Sequence, residues 1–409
     1  MPAMKTILAL ALPLIASIAA ADSILVERID VNAAKHISPA IILAETRLVA
    51  GKMYTQDEID QALNRVRRLP FVLAVDADYK PGSTAGARVL RINVEEMANF
   101  NWNLDMGAVA HGSRSGSGSG AIAAGRVGYR FFPSRNGTLD VSLGDTNESL
   151  IGNTQRDATL SYNAYGLLGT SAYASVGVGT IFRTNGRHDV NPSALVGIPL
   201  TRTQTIEAAF SRTTSRLERS VDGIADPVRS SARVTETGVT WLLQTADDPY
   251  FARHGFDAAV GPSWTRNELD LPFVSTFPKP VHVVPAQQSQ REFALNASAA
   301  KFWPLRESSA AWARFVGSST HITGTSNGNA FPAQRWNLGD VLAGVAHDFN
   351  REMGESTQSR TRLELGLGYH VDRLSGRDLL NRSGAEAEIG VAYRNRFGIV
   401  HVTASYISR

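Results

Sequence analysis

Serine, histidine and the carboxylates are the residues of this chain that could do covalent or metal chemistry, and their spacing speaks against both. Gly112-Ser113-Arg114-Ser115-Gly116 has Arg114 where the nucleophile string G-x-S-x-G needs Ser, and Gly116-Ser117-Gly118-Ser119-Gly120 has Gly118 there. Such a serine must also sit on a strained strand-to-helix turn with a His and an acid behind it, and no helical pattern follows this tract. It reads as a flexible outer loop. His36, His111, His188, His254, His282, His321, His347, His370 and His401 form no H-E-x-x-H and no carboxylate cluster at ligand spacing. They read as scattered lumen, loop or surface residues. Cysteine is absent, which removes disulfides and thiolate ligands. No catalytic residue, cofactor site or metal site is expected, and the protein reads as a non-enzyme.

The elements that would position any site are mostly strands. Of 409 residues 43% are hydrophobic and 35 are Gly, yet after residue 20 no apolar run reaches the ~18 residues a membrane helix needs. Apolar residues are instead spread singly in alternation. The net charge of +3 has no basic block, so no nucleic-acid partner is expected. Met4-Lys5, the apolar run Ile7 to Ala20 and the small-residue site Ala19-Ala20-Ala21 have the three regions of a secretory signal peptide, residues 1–21.

Residues 22–96 form a first domain with more Leu, Ile and Val and fewer glycines. A strand over 24–31 precedes a helix opened by Ser38 and Pro39 and running to about Leu48, after which Gly51 ends the element. Thr55 and Glu58 make a capping box for a helix over 56–68, with Ile59, Leu63 and Val66 on one face. Strands over 70–75 and 88–95 complete a β-α-α-β-β order. That order resembles a POTRA domain, through Leu48, Gly51, Tyr54, Ile59, Leu63, Leu69, Phe71, Val75, Val94 and Glu95.

Residues 97–409 are a train of alternating segments of about ten residues, the pattern of a transmembrane antiparallel β-barrel. Phe100, Trp102, Leu104, Met106 and Ala108 point one way; Asn101, Asn103, Asp105 and Gly107 point the other. Leu363, Leu365, Leu367 and Tyr369 oppose Arg362, Glu364, Gly366 and Gly368, and Ala387, Ile389, Val391 and Tyr393 oppose Glu386, Glu388, Gly390 and Arg394. A soluble sandwich also alternates, but it needs large aliphatics packed on one face. Here that face is Ala, Val, Leu, Tyr or Trp with gaps, which lipid tolerates. Tyr129, Phe131, Phe132, Trp241, Phe302, Trp303, Tyr369 and Tyr406 suit interfacial girdles. Arg126, Arg130 and the charges of the last strands would hydrate or cross-link the lumen.

Fifteen strands can be counted, whereas bacterial barrels have even numbers, so about sixteen are expected. Either one strand is missing after Tyr406-Ile407-Ser408-Arg409, or one has been split or merged around 145–165 or 267–290. Otherwise two edges stay unpaired in lipid. Long outer connections are expected at 111–120, 145–155, 183–191, 217–230, 267–290, 320–340 and 372–384, with short ones on the other side.

Asp247-Asp248-Pro249-Tyr250-Phe251-Ala252-Arg253-His254-Gly255-Phe256 reads as a short turn between membrane strands. It resembles the D-x-P-[YF]-F-x-x-R-G-[FTW] periplasmic turn of the bacterial surface-antigen superfamily, outer-membrane barrels that carry POTRA domains and serve protein assembly and two-partner secretion. Pro249, Phe251, Arg253, Gly255 and Phe256 carry the match, with His254 at the Arg position and Arg253 one place early. Trp336 to Val345 is similar to the L-G-G…[VL]-R-G-[YF] segment that the superfamily folds back into its barrel, through Leu338, Gly339 and Gly344. Ala343 replaces the Arg that would pair with lumen carboxylates, and Val345 the aromatic residue, so insertase activity does not follow. The resemblance implies a bacterial outer-membrane location, lipid around the barrel, and a periplasmic POTRA domain whose sheet edge near 71–79 takes an unfolded polypeptide client. The alternative is a non-enzymatic pore or anchor, derived from a patatin-type protein without its phospholipase domain, which is expected to be absent here. A secreted β-rich adhesin is a more distant third. The two domains share few apolar positions, so the barrel is expected to fold without the first.

Overall fold

The computed structural model describes residues 23–32, 35–113, 116–148, 153–183, 187–219, 228–270, 272–275, 282–284, 286–349, 360–374 and 383–408. The segment 1–21, expected as a signal peptide, lies outside them. Strands β1 (Ser23–Asn32), β2 (Lys52–Thr55), β3 (Val72–Pro81) and β4 (Ala87–Glu96) form one sheet in the order β2-β1-β4-β3, with β1 parallel to β4 and the other pairs antiparallel. Helices α1 (Pro39–Thr46) and α2 (Gln56–Arg67) close a core in which Val26, Ile42, Ile59, Val66, Leu90 and Ile92 are fully buried. The β-α-α-β-β order is present, with β2 added. Four residues are too few for period 2 to register, which is why β2 is invisible in the sequence.

Local chemistry sets the helix ends. Ser38 Oγ accepts from the Ala40 amide (3.3 Å), and α1 stops at Thr46, earlier than Leu48, because Arg47 turns left-handed (φ 53°). Gly51 (φ 80°) instead makes the turn into β2. At α2 the Glu58 amide donates to Thr55 Oγ1 (3.2 Å) and the Thr55 amide to Glu58 Oε2 (3.0 Å), the reciprocal capping box. Thr55→Ala is expected to cost about 1 kcal/mol, read as faster hydrogen exchange of the first α2 amides in the full chain.

The barrel strands are β5 (Phe100–Ser113), β6 (Gly116–Ser134), β7 (Gly137–Glu148), β8 (Asn153–Leu167), β9 (Ala172–Arg183), β10 (His188–Pro199), β11 (Gln204–Arg219), β12 (Val228–Gln244) and β13 (Gly255–Asp270). After a separate ribbon of β14 (Phe273–Ser275) and β15 (His282–Val284) come β16 (Gln287–Arg306), β17 (Ser309–Ser326), β18 (Asn329–Phe349), β19 (Arg360–Leu374), β20 (Gly384–Asn395) and β21 (Gly398–Ser408). The outward face carries exposed Phe100, Val127, Leu143, Val178, Phe210, Trp264, Leu295, Phe315, Leu367 and Ile389, strand after strand. Water would not tolerate so continuous an apolar band, and lipid requires it. The inward and outward sets read from alternation in β5, β19 and β20 hold residue by residue in the observed register.

The count of fifteen holds, and the expectation of sixteen does not. In an antiparallel meander the direction alternates, so an odd ring must join two strands that run the same way. β21 pairs with β5 in parallel, from Gly398 opposite Trp102 to Ser408 opposite Gly112, and the ring closes without a further strand or unpaired edges.

Three other expectations are corrected. The tract 112–120 is strand up to Ser113 and again from Gly116, so only 114–115, outside the described residues, are left for a loop. Residues 320–340 are not a long outer connection and Trp336 to Val345 is not folded back into the lumen: β17 and β18 run on to a hairpin at Asn327 (φ 49°) and Gly328 (φ 83°). Two consecutive positive-φ residues are what a type I′ turn needs, and Asn-Gly is its sequence signal. Phe132 and Phe302 are not girdle residues. Phe132 stacks on His36 of the first domain (4.7 Å) and Phe302 packs beside buried Trp312 in the lumen.

Candidate functional site at the mouth of the barrel

The connection between β12 and β13, residues 245–254, is longer than a hairpin turn and folds in across the lumen. Asp247 Oδ1 accepts from the Arg253 and His254 amides (2.8 and 3.2 Å), and Asp248 Oδ1 from those of Tyr250 and Phe251 (2.8 and 2.9 Å). Each carboxylate thereby holds a bend that Pro249 prearranges. Gly255 (φ 103°) then restarts the strand. A Cβ there would meet Thr245 O at 2.4 Å, so only Gly fits.

Phe251 and Ala252 are buried and reach Arg362 on β19, which is 1% exposed. Arg362 Nε and Nη2 donate to the two oxygens of Asp348 (2.6 and 3.0 Å), Nη1 donates to Ala252 O (3.0 Å), and the guanidinium lies 5.4 Å from the Phe251 ring centre. Arg394 sits over Tyr250 (5.0 Å) and donates to Val72 O (3.3 Å) in the first domain. Arg253 donates to Glu307 O (2.5 Å) on the next turn, while His254 stays exposed, 3.7 Å from Asp247. Two stray lumen charges in the sequence are thus a clasp on the turn.

The first domain lies against the same rim. The Ser38 amide donates to Arg135 O (2.9 Å) and Arg47 Nε to Ser171 Oγ (2.9 Å). Arg65 Nη1 donates to Arg202 O (2.7 Å), Arg67 Nη1 to Asp247 O (3.1 Å), and Arg68 Nη2 to both Asp257 oxygens (3.0 and 3.1 Å). Arg202 answers with an ion pair to Glu58 (2.5 Å) and stacks over Tyr54 (5.0 Å). The expectation that the domains share few apolar positions fails for Tyr165 of β8. It is buried in the first domain's core cluster, edge-on to Phe71 at 5.3 Å. Most of the seam is nonetheless arginine against carbonyl and carboxylate.

Burial pushes the Glu45 carboxyl up, with Arg65 and Arg47 opposing, and pushes the Arg67 guanidinium down, with Asp248 and Asp247 opposing. Glu58 runs the other way, held down by the Thr55 amide and then, against a smaller burial penalty, by Arg202. A carboxyl depressed in the folded state stabilises above its unfolded value, and that stabilisation is lost as pH falls through the folded value. Acidification therefore weakens the α2 cap first and, with it, the Glu58–Arg202 contact of the seam.

The other sequence-picked residues are structural. Leu48, Phe71 and Val75 are core residues; the Tyr54 hydroxyl accepts from the Val49 amide (2.8 Å) and donates to Val49 O (3.2 Å); the Gly51 amide donates to Val26 O (2.7 Å). Leu338 faces the lumen and Gly339 the outside. Ala343 also faces outward, so its position could not place an arginine against lumen carboxylates. Gly344 faces inward beneath Trp312, whose Cζ2 would lie 2.7 Å from a Cβ there. Carboxylate-bound arginines of this wall include Arg362, Arg360, which meets Asp248 at 3.4 Å, and Arg314, which meets Glu388 at 2.9 and 3.1 Å.

The sequence matches no protein-family profile and no curated protein. Among solved structures it is similar to BamA from Haemophilus ducreyi lacking POTRA domains 1-3, at 11% identity over 93% of this chain and 80% of that one, TM-score 0.43. CdiB from Acinetobacter baumannii gives 11% identity over 91% and 68%, TM-score 0.45. A loop-deletion form of OmpT, an outer membrane protein of Vibrio cholerae, gives 10% over 79% and 99%, TM-score 0.37.

Proposed function

We propose that this protein is a bacterial outer-membrane barrel that handles polypeptide, with its POTRA-like first domain on the periplasmic side. The observation that carries this reading is the seated domain: it meets the rim through arginine contacts that water can replace, while β3 lies at the edge of its sheet with no strand on its outer side among the described residues. An extended client adds to such an edge through backbone hydrogen bonds. Asp76, Asp78 and Lys80 are exposed along β3 and Pro81 ends it, features that keep an edge from pairing with copies of itself. A plain pore or anchor has no use for a domain held over its mouth.

The test is photo-crosslinking from Asp76 or Lys80, with an unfolded β-barrel polypeptide diluted from urea as the probe. Crosslinks are expected from both positions and not from exposed Asp57 on α2. Equal labelling from all three would remove the edge from the mechanism and leave the pore reading.

A further inference from the structure

The lumen wall formed by β18, β19 and β20 holds three groups that polypeptide handling leaves without a task. Asp340 stands across from His370 in the β18–β19 register, and Glu386 across from Gly368 in the β19–β20 register, all on lumen-facing positions. His370 Nδ1 and Asp340 Oδ1 are 2.5 Å apart, and one ligand atom from each of the three residues lies within 4.8 Å of the other two. Glu386 is 9% exposed, and its Oε2 is a buried oxygen without a hydrogen-bond partner. A buried acceptor of this kind costs free energy unless something fills it. The nearby lumen arginine, Arg314, is engaged by Glu388.

We propose that Asp340, His370 and Glu386 bind a divalent transition-metal ion, with Zn²⁺ the best match. Two carboxylate oxygens and one imidazole nitrogen are three ligands of a tetrahedral site whose fourth position takes water. Ca²⁺ and Mg²⁺ ask for more oxygens than these residues offer. Glu386 Oε2 gains its missing partner, and the negative charge of the pair of carboxylates is met at one point. The ion ties three consecutive strands together from inside. Ligands at positions 340, 370 and 386 make no motif in the sequence, and only sheet register brings them together.

The protein, folded in detergent and stripped with chelator, is titrated with ZnCl₂ by calorimetry, and retained metal is counted by elemental analysis after desalting. One Zn²⁺ per chain is expected. Asp340→Asn and Glu386→Gln are each expected to weaken binding at least about tenfold, and His370→Ala to abolish it. His321→Ala, on the outward face of β17, is expected to leave binding unchanged. Heat-modifiable migration shows which variants are folded. In the unsubstituted chain, Co²⁺ is expected to broaden the ring signals of His370 ahead of the other histidines, a reading that needs no variant. Absence of retained zinc in the folded chain, undiminished binding in folded Asp340→Asn and Glu386→Gln, or Co²⁺ broadening centred on another histidine overturns the proposal.

Discussion

Arg362→Met is expected to lower barrel stability by about 3–5 kcal/mol, the largest loss of any single lumen substitution, read as the temperature at which heat-modifiable migration is lost. Methionine fills the space and can lie on Phe251, so the loss is not one of packing. What it strands is Asp348, whose side chain is 13% exposed and whose two oxygens both accept from Arg362. The Ala252 carbonyl loses its donor as well, which frees the turn 245–254. Adding Asp348→Asn to the same chain is expected to recover a large part of the loss, because the orphaned charge is gone. The coupling between the two is the worth of the pair in place. A loss no greater than that of outward-facing Leu365→Ala would show that the clasp does not hold the turn.

The second large effect is on ion flow. Arg65, Arg67 and Arg68 lie at the end of α2, and between them they hold Arg202 O, Asp247 O, Ala246 O and the Asp257 carboxylate of the rim. The triple variant to alanine is expected to turn a closed or flickering barrel in planar bilayers into one with a stable open step. Arg67 and Arg68 are half-buried and each contributes little alone, whereas Arg65 is buried and also pairs with Glu45. Together they are most of what fastens this side of the domain. Unchanged conductance with the domain shown by proteolysis to be released would mean that the turn 245–254 alone closes the lumen.

Much of this architecture is legible in the sequence, for physical reasons that also mark where legibility ends. Alternation reports which side of a sheet a residue takes, so Arg362, Glu364 and Glu388 were readable as lumen charges, and Thr55 with Glu58 gave the start of α2. The partners of those charges were not readable, because Arg362 meets Asp348 through the β18–β19 register and Ala252 through an inward-folded turn. The resemblance around Asp247 to Phe256 located the turn without its depth. The hairpin at Asn327-Gly328 was there to be read, but the polar run beside it looked like a loop. The trio Asp340, His370 and Glu386 depends on two strand registers at once, which no linear spacing encodes.

The parallel seam between β5 and β21 has a consequence for traffic of the chain itself. With an odd number of crossings, Phe100 lies at the rim beside the first domain and Ser408 at the opposite one. Any residues that follow Ser408 emerge in the other compartment from the first domain, so a peptide fused there is presented to the opposite side. In its net topology this many-stranded wall behaves as a lone transmembrane helix does: the two ends of the barrel segment lie on opposite sides of the membrane.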